Sequence, residues 1–316
     1  MPTPLAIFVY NRPAHTTRLL TSLLQCRRIE ECSIHIYCDG QNPTSPAAPI
    51  EATRRIVREW ADFNRAHVAV QQVNRGPDIA ISEAVSDLCS RFGRVIVVED
   101  DLELSPDFID YMLQALDIYQ DAENVYQISG FMFPVKNRPR PDAFFLNLTT
   151  SWGWSTWARA WKSFTWEATP YLDMVKDSAT RRRYNFGASY PYAEMLEQQV
   201  QEGALTWDIM WWSAVFRANA LVLHPRVSLV RNGGFDGSGA HYVPGIASPF
   251  VQPPSSRFVT PVLSSKLELP DCFECDAHAE KMVRAFLRPS LRGRLVGGFR
   301  RRAGNTLQRC SKDTFT

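Results

Sequence analysis

The residues with the clearest capacity for chemistry are three consecutive carboxylates, Glu99-Asp100-Asp101. They follow Val95-Ile96-Val97-Val98, a β-branched apolar run that reads as a strand buried on both faces. In an open α/β sheet, the carboxyl ends of strands open into the ligand crevice. Adjacent acids there repel one another unless a cation sits among them, and Mg²⁺ or Mn²⁺ prefers such oxygen donors. A strand that ends in a solvated acidic turn is the plain alternative, and the triplet alone does not choose.

The elements that must position these acids alternate along the first half of the chain. Strands are expected at Leu5–Tyr10, Ser33–Tyr37, His67–Val73 and Val95–Val98. Helices are expected at Thr16–Gln25, Glu51–Phe63, Ile79–Arg91 and Asp107–Gln120, the last begun by Pro106. This alternation implies βαβ units and a mostly parallel sheet. Each strand then delivers polar residues to one edge: Asn11-Arg12, Asp39-Gly40, Asn74-Arg75-Gly76 and Glu99-Asp100-Asp101. Such an edge offers carboxylates and amides for a base and ribose, arginines for phosphates, and acids for a metal. No GxGxxG and no Walker A lysine loop is present, which weakens ordinary dinucleotide and P-loop readings.

The chain has 316 residues with 45% hydrophobic and 22% charged content, enough for a substantial core. Its net charge of +2 conceals an asymmetry. Residues 281–316 carry ten Lys or Arg and one acid, Asp313, so residues 1–280 hold 25 basic against 32 acidic side chains. The seven cysteines show no framework spacing, and Cys272 and Cys275 stand as a lone CFEC pair. Reduced thiols in a cytoplasmic protein fit better than disulfides or a zinc site. No stretch approaches the apolar length of a membrane span, and the N-terminus enters a strand without a secretion signal.

With these motifs in view, the sequence resembles the GT-A nucleotide-sugar glycosyltransferases, family 2-like, especially N-acetylglucosaminyltransferase I and its bacterial relatives. The resemblance rests on Phe8-Val9-Tyr10-Asn11-Arg12-Pro13, Tyr37-Cys38-Asp39-Gly40, and Val97 through Phe108. Gly153-Trp154, Thr206-Trp207-Asp208 and Pro225-Arg226-Val227-Ser228 complete it, in order, over residues 5 to about 245. It implies a GT-A fold: a Rossmann-like, mostly parallel sheet flanked by helices, with an acceptor-side subregion. Residues 1–270 would form the transferase domain, with 1–130 binding the nucleotide sugar and 131–250 forming an acceptor and lid half. Residues 271–316 would be a basic amphipathic tail.

The implied activity is metal-dependent hexosyl transfer, with inversion, from a UDP-sugar to a hydroxyl of a glycan or glycolipid, as in polysaccharide biosynthesis. By the same resemblance Asp101 is the ligand of Mn²⁺ or Mg²⁺, Asp100 lies near the ribose and Glu99 near the donor sugar. Arg12 contacts the nucleotide, Asp39 reads the uracil, and Asp208 is the general base. The chemistry agrees: a leaving diphosphate develops charge that a cation stabilises, and an acceptor hydroxyl needs a carboxylate within reach. Asn11 and Arg75 join the nucleotide-binding set as polar residues of the same edge.

Four tryptophans crowd Ser151-Trp152-Gly153-Trp154-Ser155-Thr156-Trp157 and Trp161. Core packing is one reading; the intervening Ser, Gly and Thr favour a turn lining a pocket, with Trp154 facing the donor. On a helix Asp208 and Trp212 share a face. An acid favoured by the helix dipole is the simpler account of Asp208, and the resemblance overrides it. The glycine-dense Asn232–Gly239 segment is expected to be irregular, a loop that orders over the donor. His241 follows it, and no role is carried over to Asp236.

Residues 281–312 hold ten basic side chains among apolar ones, which suits peripheral contact with an anionic membrane at its inner face. A solvated basic tail explains the same residues, while no nucleic-acid module is recognisable. Two rivals remain for the whole chain. One is a sugar-nucleotide nucleotidyltransferase, whose glycine-rich lysine loop is missing. The other is a catalytically inactive nucleotide-sugar-binding protein.

Overall fold

A computed structural model describes residues 1–135, 141–237, 263 and 267–288. In chain order the elements begin with β1 (Thr3–Val9), α1 (Pro13–Leu23), β2 (Cys32–Cys38), α2 (Ala47–Asn64) and β3 (His67–Val70). There follow α3 (Gly76–Phe92), β4 (Arg94–Glu99), β5 (Leu102–Leu104), α4 (Phe108–Ile118), β6 (Val125–Ser129), β7 (Ala143–Leu146) and β8 (Trp154–Trp157). Next come α5 (Ala158–Trp161), α6 (Thr169–Met174), α7 (Ser178–Tyr184), α8 (Tyr192–Glu202) and α9 (Trp207–Arg217). Strands β9 (Leu221–Pro225) and β10 (Val230–Asn232) precede helix α10 (Ala277–Leu287).

Eight strands form one sheet in the order β3-β2-β1-β4-β8-β6-β9-β7. The first four run parallel, while β8 and β7 are reversed against their neighbours. The protein is therefore mixed α/β, with a large, mostly parallel sheet flanked by helices. Strand β8 pairs with both β4 and β6, so the amino-terminal and later segments share one sheet. A two-stranded sheet of β10 and β5 lies apart from it.

The β4 expectation holds: Val95, Ile96, Val97 and Val98 are all buried, each contributing roughly 1.5–3 kcal/mol of transfer free energy. Register is what places the edge. Val9 lies opposite Cys38, Phe8 opposite Glu99, and Cys38 opposite Val70, so the parallel strands end together. The ladder runs one residue further, with Asp39 N–H donating to Val9 O, Gln71 N–H to Cys38 O and Asp100 N–H to Phe8 O. Strand β3 stops at Val70 rather than Val73, and residues 71–75 form the turn into α3.

Among the described residues no helix is long and apolar enough to cross a membrane, and the six cysteines are free. In helix α10, Val283 and Leu287 are buried against the core, with Met282 and Phe286 packed beside them. The apolar side chains at the start of the basic stretch are thus committed to the fold. Residues 289–312, like His241, lie outside the described residues.

Candidate functional site

The acidic triplet meets Arg12 at the centre of the edge. Arg12 leaves β1 just before Pro13 opens α1, and its guanidinium bridges two of the acids. Nη2 donates to Asp100, while Nη1 donates to Asp101 Oδ2 at 3.2 Å. Tyr10 N–H adds a donor to Asp100 at 3.4 Å. Burial lifts the Asp100 carboxyl above its usual range; Arg12 pulls it back and Asp101 adds to the lift. Although burial opposes its charge, Arg12 is held above its ordinary range by Asp100 and then Asp101. At Glu99, burial and the charges of Asp101 and Asp100 push the carboxyl well up against the pull of Arg12, and Asp208 adds to the push. Asp101 is the most accessible of these partners, with its side chain 19% exposed. Asn11 stands at the same edge, partly exposed.

Glycines bring a second segment onto Asp101. Antiparallel pairing of β10 with β5 sets Asn232 opposite Leu102, and Gly233 N–H then donates to Asp101 O at 2.7 Å. A Cβ at Gly234 would lie 2.6 Å from Asp101 Oδ2, so any side chain here would displace the Asp101 carboxylate. Asn232 was expected in an irregular loop; it belongs to β10, and its side-chain oxygen closes the turn by accepting from Gly234 N–H at 2.7 Å. Residues 238 and 239 of that glycine segment lie outside the described residues.

A cleft beside the carboxylates is lined by His15, Arg18, Asp101, Glu103, Arg231 and Gly233. Arg18 can only donate, so His15 Nδ1 accepts from it at 2.5 Å, and His15 Nε2–H donates to Asp236 at 2.9 Å. Arg231 pairs with Glu103. The sequence reading missed His15 and Arg18. Their three-residue spacing at the start of a helix following Arg12 was the available signal.

Asp39 reaches the edge with its acceptor capacity already used. Gly40 N–H donates to it at 2.7 Å, Arg75 N–H at 2.9 Å, Gly76 N–H at 2.9 Å and Asn74 Nδ2 at 3.0 Å. Four donors fill the acceptor sites of a carboxylate. Asp39 therefore ties β2 to the start of α3, where Gly40 packs so closely on residues 73 and 74 that a Cβ would overlap the backbone. Arg75 differs from expectation too. Its guanidinium pairs with Glu83 on α3, and its backbone N–H is what serves the edge.

Asp208 sits in the first turn of α9, exposed, as its spacing implied. Asp78, from the first turn of α3, accepts from Trp207 N–H at 2.8 Å and fixes α9 to the start of α3. One Asp208 oxygen accepts from Thr206 Oγ1 at 2.5 Å and Ile209 N–H at 2.8 Å. No donor among the described residues reaches its Oδ2.

The tryptophan cluster is core. Trp154 has no exposed surface; it stacks on Trp207 at 5.0 Å and lies 5.8 Å from Trp161. With no accessible face it cannot touch a donor, and its work is to brace the Trp207 that carries Asp208. The partly exposed tryptophan is Trp152, edge-on to Phe131 at 4.6 Å and to Phe235 at 5.6 Å.

A divalent cation fits only in part. Among the described residues no three His, Cys, Asp or Glu side chains converge as a preformed cation site. Asp101, accessible in the cleft, suits a metal that takes its remaining ligands from substrate phosphates and water.

No family model and no curated protein matches the sequence. Solved structures match loosely. They include a mannosyltransferase, PcManGT, from Pyrobaculum calidifontis in complex with GDP-Man and Mn²⁺, at 12% identity and TM-score 0.32, covering 40% of this chain and 34% of that one. S. aureus TarS matches at 17% identity and TM-score 0.33, over 50% and 47%. GalNAc-T7 with UDP, GalNAc and Mn²⁺ matches at 8% identity and TM-score 0.46, over 73% and 44%. In each case the match spans less than half of the other chain, and likenesses this loose leave function to the site's own geometry.

Proposed function

We propose that this protein is a GT-A-type glycosyltransferase that moves a hexosyl unit, with inversion, from a nucleoside diphosphate sugar to a hydroxyl of a glycan or glycolipid. UDP-sugars are the first donors to test. One observation carries the reading: Asp78, in the first turn of α3 beside the strand-end edge, accepts from Trp207 N–H at 2.8 Å and so holds the exposed Asp208, the next residue of α9, close to that edge. A base carried by one element thus faces a diphosphate-type edge built by others.

In this reading an acceptor hydroxyl attacks the anomeric carbon, the new C–O bond forms as the bond to the diphosphate oxygen breaks, and the diphosphate leaves with the electron pair. Asp208 Oδ2 takes the hydroxyl proton. Arg12 neutralises Asp100 and Asp101 so that anionic phosphates can approach. Bound through Asp101, Mn²⁺ or Mg²⁺ would supply positive charge to the leaving diphosphate. Glu99 and Asp100 position the donor sugar and ribose. Asp39, its acceptors filled, shapes the base side of the pocket through residues 74–76 instead of reading the base through a free carboxylate. Residues 289–312 are our candidate for contact with an anionic membrane that carries the acceptor.

The test is a panel of UDP- and GDP-sugars followed by donor turnover with and without Mn²⁺. Asp101→Ala should abolish the metal-dependent turnover. Asp208→Asn should keep donor binding while transfer falls roughly 10²–10⁴-fold. Normal transfer by Asp208→Asn would remove the base assignment, and pyrophosphate release from a nucleoside triphosphate would replace the transferase reading altogether.

A further inference from the structure

Near Asp208 two half-buried tyrosines, Tyr190 and Tyr192, pack on the edge of the core. Tyr190 and Tyr192 flank Pro191, whose φ of −86° and ψ of 54° make a tight inverse turn. Tyr192 N–H donates to Tyr190 O at 3.0 Å, which folds the two side chains back on each other with ring centroids 4.7 Å apart. Tyr192 rests in turn on Trp212 at 5.4 Å, one helical turn beyond Asp208 on the same face of α9. A continuous aromatic ladder therefore runs from buried Trp212 through Tyr192 to Tyr190, both tyrosines half-buried. Among the described residues no hydrogen-bond partner reaches either phenol hydroxyl.

The pair is held rigidly, and at a cost. Phe186, Gly187 and Ala188 have φ values of +47°, +67° and +61°, three successive left-handed residues of which only one is glycine. Two non-glycine residues in that region cost about 1–2 kcal/mol each. The turn is braced from behind by α10, where the Arg284 guanidinium stacks over the Phe186 ring at 5.2 Å and fills the space a side chain at Gly187 would need. From the other side Asn185 clamps α8: its Oδ1 accepts from Ala193 N–H at 2.7 Å and its Nδ2 donates to Glu194 at 2.9 Å. Asp208 lies within electrostatic reach, since it adds to the rise that burial imposes on the Tyr190 phenol.

We propose that Tyr190 and Tyr192 form the platform for the accepting sugar, a pyranose whose C–H face lies on Tyr190 while one of its hydroxyls meets Asp208. The negative face of a tyrosine ring attracts the weakly positive axial hydrogens of a pyranose, and a preset platform loses little entropy on binding. This role rests on the reading of Asp208 as the base, and it specifies a glycan over a simple alcohol or polyol phosphate as acceptor.

Saturation-transfer NMR tests it on the intact protein. The probes are the methyl β-glycosides of glucose, galactose and N-acetylglucosamine, with glycerol phosphate as the non-sugar comparison. At least one glycoside should receive saturation, strongest on its ring C–H protons, and glycerol phosphate should not. Tyr190→Leu, which keeps the apolar bulk, should bind about tenfold more weakly, and Tyr190→Phe should bind as the wild type does. Wild-type protein that saturates none of the glycosides, or Tyr190→Leu that binds them unchanged, overturns the platform. Calorimetry with UDP- and GDP-sugars plus Mn²⁺ on wild type and Asp101→Ala separates the two readings. Donor binding without glycoside binding leaves a transferase without this platform. Glycoside binding without donor binding removes the transferase and, with it, the acceptor role.

Discussion

Gly234→Ala should disable the site through a single methyl group. The new Cβ would stand 2.6 Å from Asp101 Oδ2 and 3.0 Å from Asn232 Oδ1, where ordinary contact begins near 3.4 Å. One side must yield by about 0.8 Å, the difference between those contact distances. The backbone here is pinned, because Gly233 N–H donates to Asp101 O and β10 is paired to β5. The Asp101 carboxylate is the softer partner and swings away, loosening its 3.2 Å contact with Arg12. Metal ligation tolerates only about ±0.2 Å, and disturbing a ligand's support typically costs 10–100-fold in metal affinity or activity. The expected outcome is therefore a rise of about tenfold or more in the Mn²⁺ needed for half-maximal donor turnover. Global stability should fall by less than about 1 kcal/mol, since the contact is confined to one partly exposed pair. Gly203→Ala is the control: its φ of +66° strains any side chain, yet nothing lies within 4 Å of the added Cβ. It should cost about 1 kcal/mol in urea unfolding and leave the Mn²⁺ titration unchanged. A Gly234→Ala protein with the wild-type Mn²⁺ profile would refute the placement of the cation on Asp101.

Trp154→Ala should lose roughly 3–5 kcal/mol in urea unfolding, as a fully buried indole leaves a cavity, while the folded protein keeps its donor affinity. Lost donor affinity at unchanged stability would return Trp154 to the binding site. Asp39→Asn should lower stability by about 2–4 kcal/mol, because an amide's NH₂ group confronts donors from residues 74 and 76. An unchanged unfolding curve with altered preference among nucleotide bases would instead make Asp39 a base reader. Burial holds the His224 ring down at about 4, against an ordinary 6.5, between the carbonyls of Leu148 and Phe131. The unfolded chain then binds the extra proton, so this contribution is complete above about pH 6.5 and fades by up to ~3 kcal/mol toward pH 4. Melts of His224→Gln across that range should show a shallower loss than wild type; an equal slope would exclude His224 as the source.

Features that depend on local pattern could be read directly from the residues. The β-branched run at Val95–Val98 had to be a doubly buried strand, and strand-helix alternation had to make the sheet largely parallel. Parallel strands share a direction, so Arg12, Asp39 and Glu99-Asp100-Asp101 were bound to reach one edge. The first-turn place of Asp208 was equally legible.

Which side chains are free to act emerged from the folded protein, because partners and accessibility are set by residues far along the chain. Asp39 looked like an open carboxylate until the turn before α3 filled its four acceptor sites. Arg75 looked like a phosphate ligand until Glu83, a further two helical turns along, claimed it. Trp154 and Trp152 share a motif and were indistinguishable by type; packing buried the first and left the second partly exposed beside Phe235. Asn232 carried turn chemistry, yet pairing with Leu102, 130 residues earlier, made it a strand end and laid Gly234 on Asp101. The Tyr190–Tyr192 platform left no pattern at all, because its meaning depends on Trp212 beneath it and Arg284 behind it.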